Sequence, residues 1–200
     1  ILSFTEMSDS KLIFGAIDLY ELSFHIHKYL GESATNLDLF VAKFDKQNPG
    51  VKTNKFLLSS SDIHVYNSRF LYSDENLSTS TVLNFQDLNM YATDFLILGV
   101  DVKAFVNSLN FEDSRGVKLQ DLQTYFSYTL SQMKFDQLEL KSEKSFLTGQ
   151  LQFDYNRVDF KEFSDKVKIS GHFNDSTIDL EELNQLYDEF GVNQKAVLST

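Results

Sequence analysis

The chain has 200 residues, no Cys, no Trp, a single Pro and a net charge of −11. The missing Cys excludes disulfide and thiolate chemistry, and the excess negative charge argues against a nucleic-acid backbone or an anionic membrane surface as a direct partner. At 42% hydrophobic and 24% charged it has the composition of an ordered domain, its 19 Phe and 9 Tyr favour strands, and no apolar run approaches a membrane span.

Taken in order, short alternating runs dominate. Tyr20, Leu22, Phe24 and Ile26 alternate with polar residues, and Leu37, Leu39 and Val41 do the same. Ile63 with Val65, and Val100 with Val102, alternate locally. Leu151, Phe153 and Tyr155 follow, then Val167, Ile169 and Gly171. Such runs predict strands with one wet face. Clusters of Asn, Asp, Ser and Gly predict breaks at 45–50, 73–78, 112–116 and 173–177.

Two segments predict helices. Asp159 and Glu162 open a run over 159–167 with Phe160, Phe163 and Val167 on one face. Asp179 and Glu182 stand at capping-box spacing before a stripe of Leu183, Leu186, Tyr187 and Phe190, predicting a helix near 179–190 closed by Gly191. Neither is long enough to cover a large sheet.

The stretch "VLNFQDLNMY" (82–91) alternates, skips a beat at Gln86–Asp87, then resumes. The same rhythm recurs in "MKFDQLEL" (133–140) and nearly intact in "VKLQDLQT" (117–124) and "IDLYELSF" (17–24). A flat strand would throw the second apolar pair onto the opposite face. A β-bulge at the polar pair returns both to one side and bends the strand. Bends at matching positions predict an all-β, antiparallel-type, strongly curved sheet with its apolar face inside. A second sheet, closure of the sheet on itself or an apolar ligand could cover that face. The segment around 12–30 and the strand near 167–173 are its expected ends.

The stretches "NLDLFVAKFD", "FLLSSSDIHVYNSRFLYSDEN", "VLNFQDLNMYATDFLILGVDV", "LNFEDSRGVKLQDLQTYFSYTLSQMKFDQLELK" and "LQFDYNRVDFKEFSDKVKISGHFNDSTIDLEELNQLYDEFG" together resemble the translocation and assembly module (TamB) family, in its Bacteroidota form. The resemblance covers roughly 17–191 and rests on phrasing across the whole segment. It implies membership of the AsmA-like, bridge-type lipid transfer proteins: an elongated U-shaped sheet, or β-taco, with an apolar groove for phospholipid acyl chains. It implies a periplasmic location with an inner-membrane tether outside this chain, a role in outer-membrane biogenesis, and an Omp85-type barrel partner reached through a C-terminal region outside it. Residues 1–200 are then a single internal segment of a longer chain. The expected groove lining is Leu83, Phe85, Leu88, Met90, Val117, Leu119, Leu122, Met133, Phe135, Leu138, Leu140, Leu151 and Phe153. The other reading is a structural β-sandwich or spacer with a dry core and no ligand.

Nothing points to catalysis. No nucleophile elbow, Walker A or G-x-G-x-x-G pattern occurs. His25 and His27 share a strand face, as some metal sites require, but no further ligands cluster beside them, and His64 and His172 are distant. Asp87, Asp121, Asp136 and Glu139 occupy the wet beats of strands, and the Ser-rich stretch 59–62 suits a turn or strand edge. The expectation is no enzyme, no cofactor and no metal.

Overall fold

A computed structural model describes residues 2–8, 11–39, 55–78, 81–156, 167–186 and 197–199. They form one open, curved sheet of eleven strands: β1 (Leu2–Ser8), β2 (Lys11–Tyr20), β3 (Ser23–Lys28), β4 (Leu57–Asp74), β5 (Thr81–Leu98), β6 (Asp101–Asp113), β7 (Lys118–Tyr128), β8 (Gln132–Ser142), β9 (Phe146–Asp154), β10 (Lys168–Asp179) and β11 (Val197–Ser199). The all-β, curved architecture expected from the alternation is therefore present.

From β4 to β10 the sheet is an antiparallel meander of sequence neighbours, which the alternating runs and intervening turns specify directly. Its N-terminal end is different. Both β2 and β3 run parallel to β4, β2 beside Leu57–Tyr66 and β3 beside Arg69–Asp74. They are one course of chain broken at Glu21 and Leu22. This parallel pairing corrects the wholly antiparallel expectation; periodicity carries no information on strand direction.

Other expectations also change. Residues 36–39 form a helical turn, not a strand; Phe40 and Val41 lie outside the described residues. The turn is capped reciprocally: Asp38 N–H donates to Thr35 Oγ1 at 3.1 Å, and Thr35 N–H and hydroxyl donate to Asp38 Oδ2 at 3.0 and 2.9 Å. The break expected at 173–177 lies within β10 and is a bulge at Asp175. Residues 59–62, expected as turn or edge, lie inside β4. Val100 sits in the tight β5–β6 turn beside Gly99, whose φ is +64°. Tyr20 lies on the face opposite Leu22, because the chain bulges between them at Glu21, and it stacks on Tyr66 at 4.8 Å.

The break at 45–50 and most of the helix expected at 159–167 lie outside the described residues. Of the helix near 179–190, α1 (Leu180–Leu186) is described, with Asp179 Oδ1 accepting the Glu182 N–H at 2.9 Å. The rest of the capping box is replaced. The Glu182 carboxylate reaches the β8–β9 turn, where it accepts the hydroxyls of Ser142 at 2.6 Å and Ser145 at 2.5 Å.

Of the two expected sheet ends, the one at 12–30 is revised and the one near 167–173 stands among the described residues. β1 covers β2, and the Asn36 amide caps the edge of β3, accepting His27 N–H and donating to the His25 carbonyl, both at 2.9 Å. β10 is the far edge along 168–174, with β11 pairing only at Thr177–Asp179.

Candidate functional site

Bends fall at the skipped beats and at further places the rhythm did not mark. Glu21, Asp87 and Gln137 stand at skipped beats and Asn67, Asp94 and Asp175 do not; all six have φ between 46° and 52°, the left-handed region that bulge residues use, while the skip in 117–124 shows only as a register shift between Leu119 and Asp121. Where Phe135 pairs with Leu151 and Leu138 with Gly149, two residues of β8 oppose one of β9. At Gln86–Asp87 two residues of β5 oppose Arg69 of β4. Each bulge returns the next apolar residue to the face it would have left.

The register therefore arranges one face in rows that cross the strands. One row runs Val102, Tyr128, Met133, Phe153. The next runs Ala104, Phe126, Phe135, Leu151. A middle row runs Ile17, Ile63, Ala92, Val106, Thr124, Leu138, Gly149, Phe173. Below it come Val65, Met90, Leu109, then Leu122, Leu140, Leu147, and below those Phe70, Phe85 and Tyr72, Leu83. Ten of the thirteen sequence-expected lining residues lie in these rows; Leu88 pairs with Ser68 and Leu119 with Phe111 on the same face, and Val117, just before β7, is buried outside the ladder. The expected lining leaves out the row partners contributed by β2, β4 and β6: Ile17 and Ile63 belong to runs that alternation does mark as strand, whereas Val106 does not.

The middle row is the crease. Ala92 is 1% exposed, Thr124 0% and Leu138 2%, although no second layer of described elements covers them. In a curved single sheet such burial marks the inside of the bend, which assigns the apolar face to the concave side. Away from the crease most of this face is half-buried, and Ile169, at the β10 edge, is 52% exposed. A stack of Phe24, Phe70, Phe85 and Phe111 crosses four strands on one wall, with centroids 6.0, 5.6 and 4.0 Å apart.

Hydroxyls on this face do not decorate the trough; they close the bulges. Thr124 Oγ1 donates to the Asp136 carbonyl at 2.9 Å. Ser68 Oγ accepts the Leu22 N–H at 3.0 Å and donates to the Tyr66 carbonyl. Ser176 Oγ accepts the Thr148 N–H at 3.0 Å, and Ser60 Oγ donates to the Asp62 carbonyl at 2.8 Å. A bulge frees peptide groups from the ladder, and a buried one left unpaired is costly. Small hydroxyl residues at strand positions otherwise reading as apolar were the available sequence signal for this role.

The convex face is largely polar, with the aromatic pairs Tyr20–Tyr66 and Phe105–Tyr125 also on it. His25 Nε2 lies 2.7 Å from Ser73 Oγ, and His27 Nε2 lies 3.0 Å from Glu75 Oε1. The Leu30 N–H and His27 hold the Glu75 carboxyl below its ordinary pKa. His64 stacks on Tyr91 at 4.5 Å. Asp136 accepts the Gln150 amide at 2.8 Å, while Asp87, Asp121 and Glu139 are exposed. Among the described residues no three His, Asp or Glu side chains are grouped to hold a metal ion. No helix of the described residues is long and apolar enough to cross a membrane.

Comparisons of the chain with protein-family models, with curated proteins and with solved structures returned no match.

Proposed function

We propose that this chain carries phospholipid acyl chains along the apolar trough, as one section of a conduit between the two membranes of a cell envelope. The observation that supports the reading is the continuous apolar concave face across β2–β10, uncovered by any second layer of described elements. The sequence resemblance to the TamB family favours the same reading, together with a periplasmic setting and an outer-membrane barrel as the partner of a longer chain.

The mechanism is physical. Each methylene that replaces water against the trough gains ~0.8 kcal/mol. Similar apolar rows at successive strands give similar energies at each step, so a chain slides without a deep trap. The hydroxyls of Ser60, Ser68, Thr124 and Ser176 are engaged at the bulges and offer no sticky polar stop. Headgroups stay at the open mouth, since burying them unpaired is costly.

A second reading is favoured by the near-complete burial of Ala92, Thr124 and Leu138: a spacer with a dry core. Native mass spectrometry after incubation with phospholipid vesicles separates the two. Bound phospholipid, abolished in a folded Phe135→Asp variant, supports the conduit. A lipid-free wild type, with Phe135→Asp unfolding because the carboxylate is buried, supports the spacer.

A further inference from the structure

The two walls of the trough differ. On the side of the crease toward the β5–β6 and β7–β8 turns, strands extend a nearly constant distance: 57–63 on β4, 124–128 on β7, 132–138 on β8 and 168–173 on β10. A rise of ~3.3 Å per residue makes this wall ~13–20 Å tall. The opposite wall varies, from 63–74 on β4 through 118–124 on β7 to 138–142 on β8 and 146–149 on β9, before β10 lengthens it again over 173–179. A single leaflet of bilayer hydrocarbon is ~15 Å deep, half of the full core. The constant wall keeps near that height from strand to strand; the tapering wall exceeds it at β4 and falls below it at β9.

The rims differ in charge as well. Around β4–β10, the described rim segments of the tapering wall (74–78, 113–117, 142–146 and 179–182) carry seven carboxylates against two basic side chains, and one of the seven, Asp74, is paired with Lys28 of β3. Among the described residues, the constant wall's rim segments (55–56, 98–101, 128–132, 154–156 and 167–168) carry two of each, Lys55 and Lys168 against Asp101 and Asp154. An anionic phosphate is repelled by the first rim and not by the second.

We propose that a phospholipid lies in the trough with its acyl chains parallel to the strands and its phosphate at the rim of the constant wall. This rests on the conduit reading above and adds orientation: lipids stand side by side across the groove axis instead of lying along it.

The test uses the absence of native Trp. Tyr128→Trp reports from the rim and Leu140→Trp from beside the crease; Met133→Trp and Leu122→Trp replace them if circular dichroism shows misfolding. Each is loaded with phosphatidylcholine brominated near the headgroup or near the chain end. The inference expects the rim Trp to lose more emission to the shallow bromines and the crease Trp to lose more to the deep ones. It also expects Lys55→Glu with Lys168→Glu to lower the retained fraction of phosphatidylglycerol, and Glu143→Gln with Glu181→Gln not to lower it. Equal quenching by both lipids at both sites overturns the orientation while leaving the conduit intact. Loss of phosphatidylglycerol from the glutamine variant instead of the lysine-rim variant overturns the headgroup side. No quenching anywhere overturns the conduit, and the orientation with it.

Discussion

Lys28 Nζ lies 2.9 Å from Asp74 Oδ2, and both side chains are less than a tenth exposed. Burial pushes the Asp74 pKa up, but hydrogen bonds from Lys28 and Asn76 outweigh it and hold the carboxyl below its ordinary value. The pair therefore adds stability above pH ~4 that is lost as pH falls through the lowered folded pKa. Lys28→Met leaves a buried charge without its cation and costs about 3–5 kcal/mol at neutral pH. With the cation gone, burial raises the Asp74 pKa, so the sign reverses and the variant loses stability as pH rises past ~4. Lys28→Met with Asp74→Leu recovers most of the loss. Urea melts of the three proteins at acidic and neutral pH check all three outcomes.

Thr124→Val keeps the shape of a fully buried side chain and removes its hydroxyl. The Asp136 carbonyl at the β8 bulge then has no Oγ1 donor. The expected cost is ~1–3 kcal/mol, with Thr124→Ser much closer to wild type. Chemical denaturation with an unchanged m-value is the confirming result; a neutral Thr124→Val removes the bulge-closing role.

Gln137 has a φ of 50° and its side chain is exposed. Left-handed backbone costs a non-glycine residue about 1–2 kcal/mol, and glycine's extra freedom in the unfolded chain returns part of the gain. Gln137→Gly is therefore neutral or stabilising by up to ~1 kcal/mol, whereas the β-branched Gln137→Val destabilises by at least ~1 kcal/mol. The opposite order in thermal melts would rule out a bulge here.

At Gly149 the φ is +143°, and a Cβ would stand 2.0 Å from the His172 carbonyl oxygen. The obstructing atom is backbone, so β9 and β10 must part to admit it. Gly149→Ala is expected to cost more than ~3 kcal/mol, beyond the usual range for surface-strand substitutions. Hydrogen exchange should show the protection lost first along the β9–β10 ladder.

The meander was legible because its information is local. Leu83, Phe85, Leu88 and Met90 share a face only if the chain bulges between Phe85 and Leu88, and two polar residues at that point say so. Thr35 and Asp38 carry an equally local signal, a capping-box spacing, but Leu37, Leu39 and Val41 beside them imitate a short strand and compete with it. At Asn174–Asp175 a turn signal marks a bulge, since both need a residue tolerant of positive φ. The contribution of β2 and β3 to the concave face was not legible as a pairing. Their partner lies far along the chain, and no periodicity identifies it.

That distance has a consequence for the order of events in folding. Each neighbouring pair from β4 to β9 closes over a turn or short connection, and β9 to β10 over residues 155–167, whereas Lys28 meets Asp74 across 46 residues. Closing a long loop costs entropy before any contact repays it, so local hairpins form first. The meander zips from its turns, and β2–β3 dock last, onto the edge of a finished β4. β1 and β2 can close as a local hairpin of their own, since Ser8 pairs with Lys11, but their docking onto the sheet waits for β4, and a ribosome that has not yet released Leu57 leaves β2 and β3 without that partner.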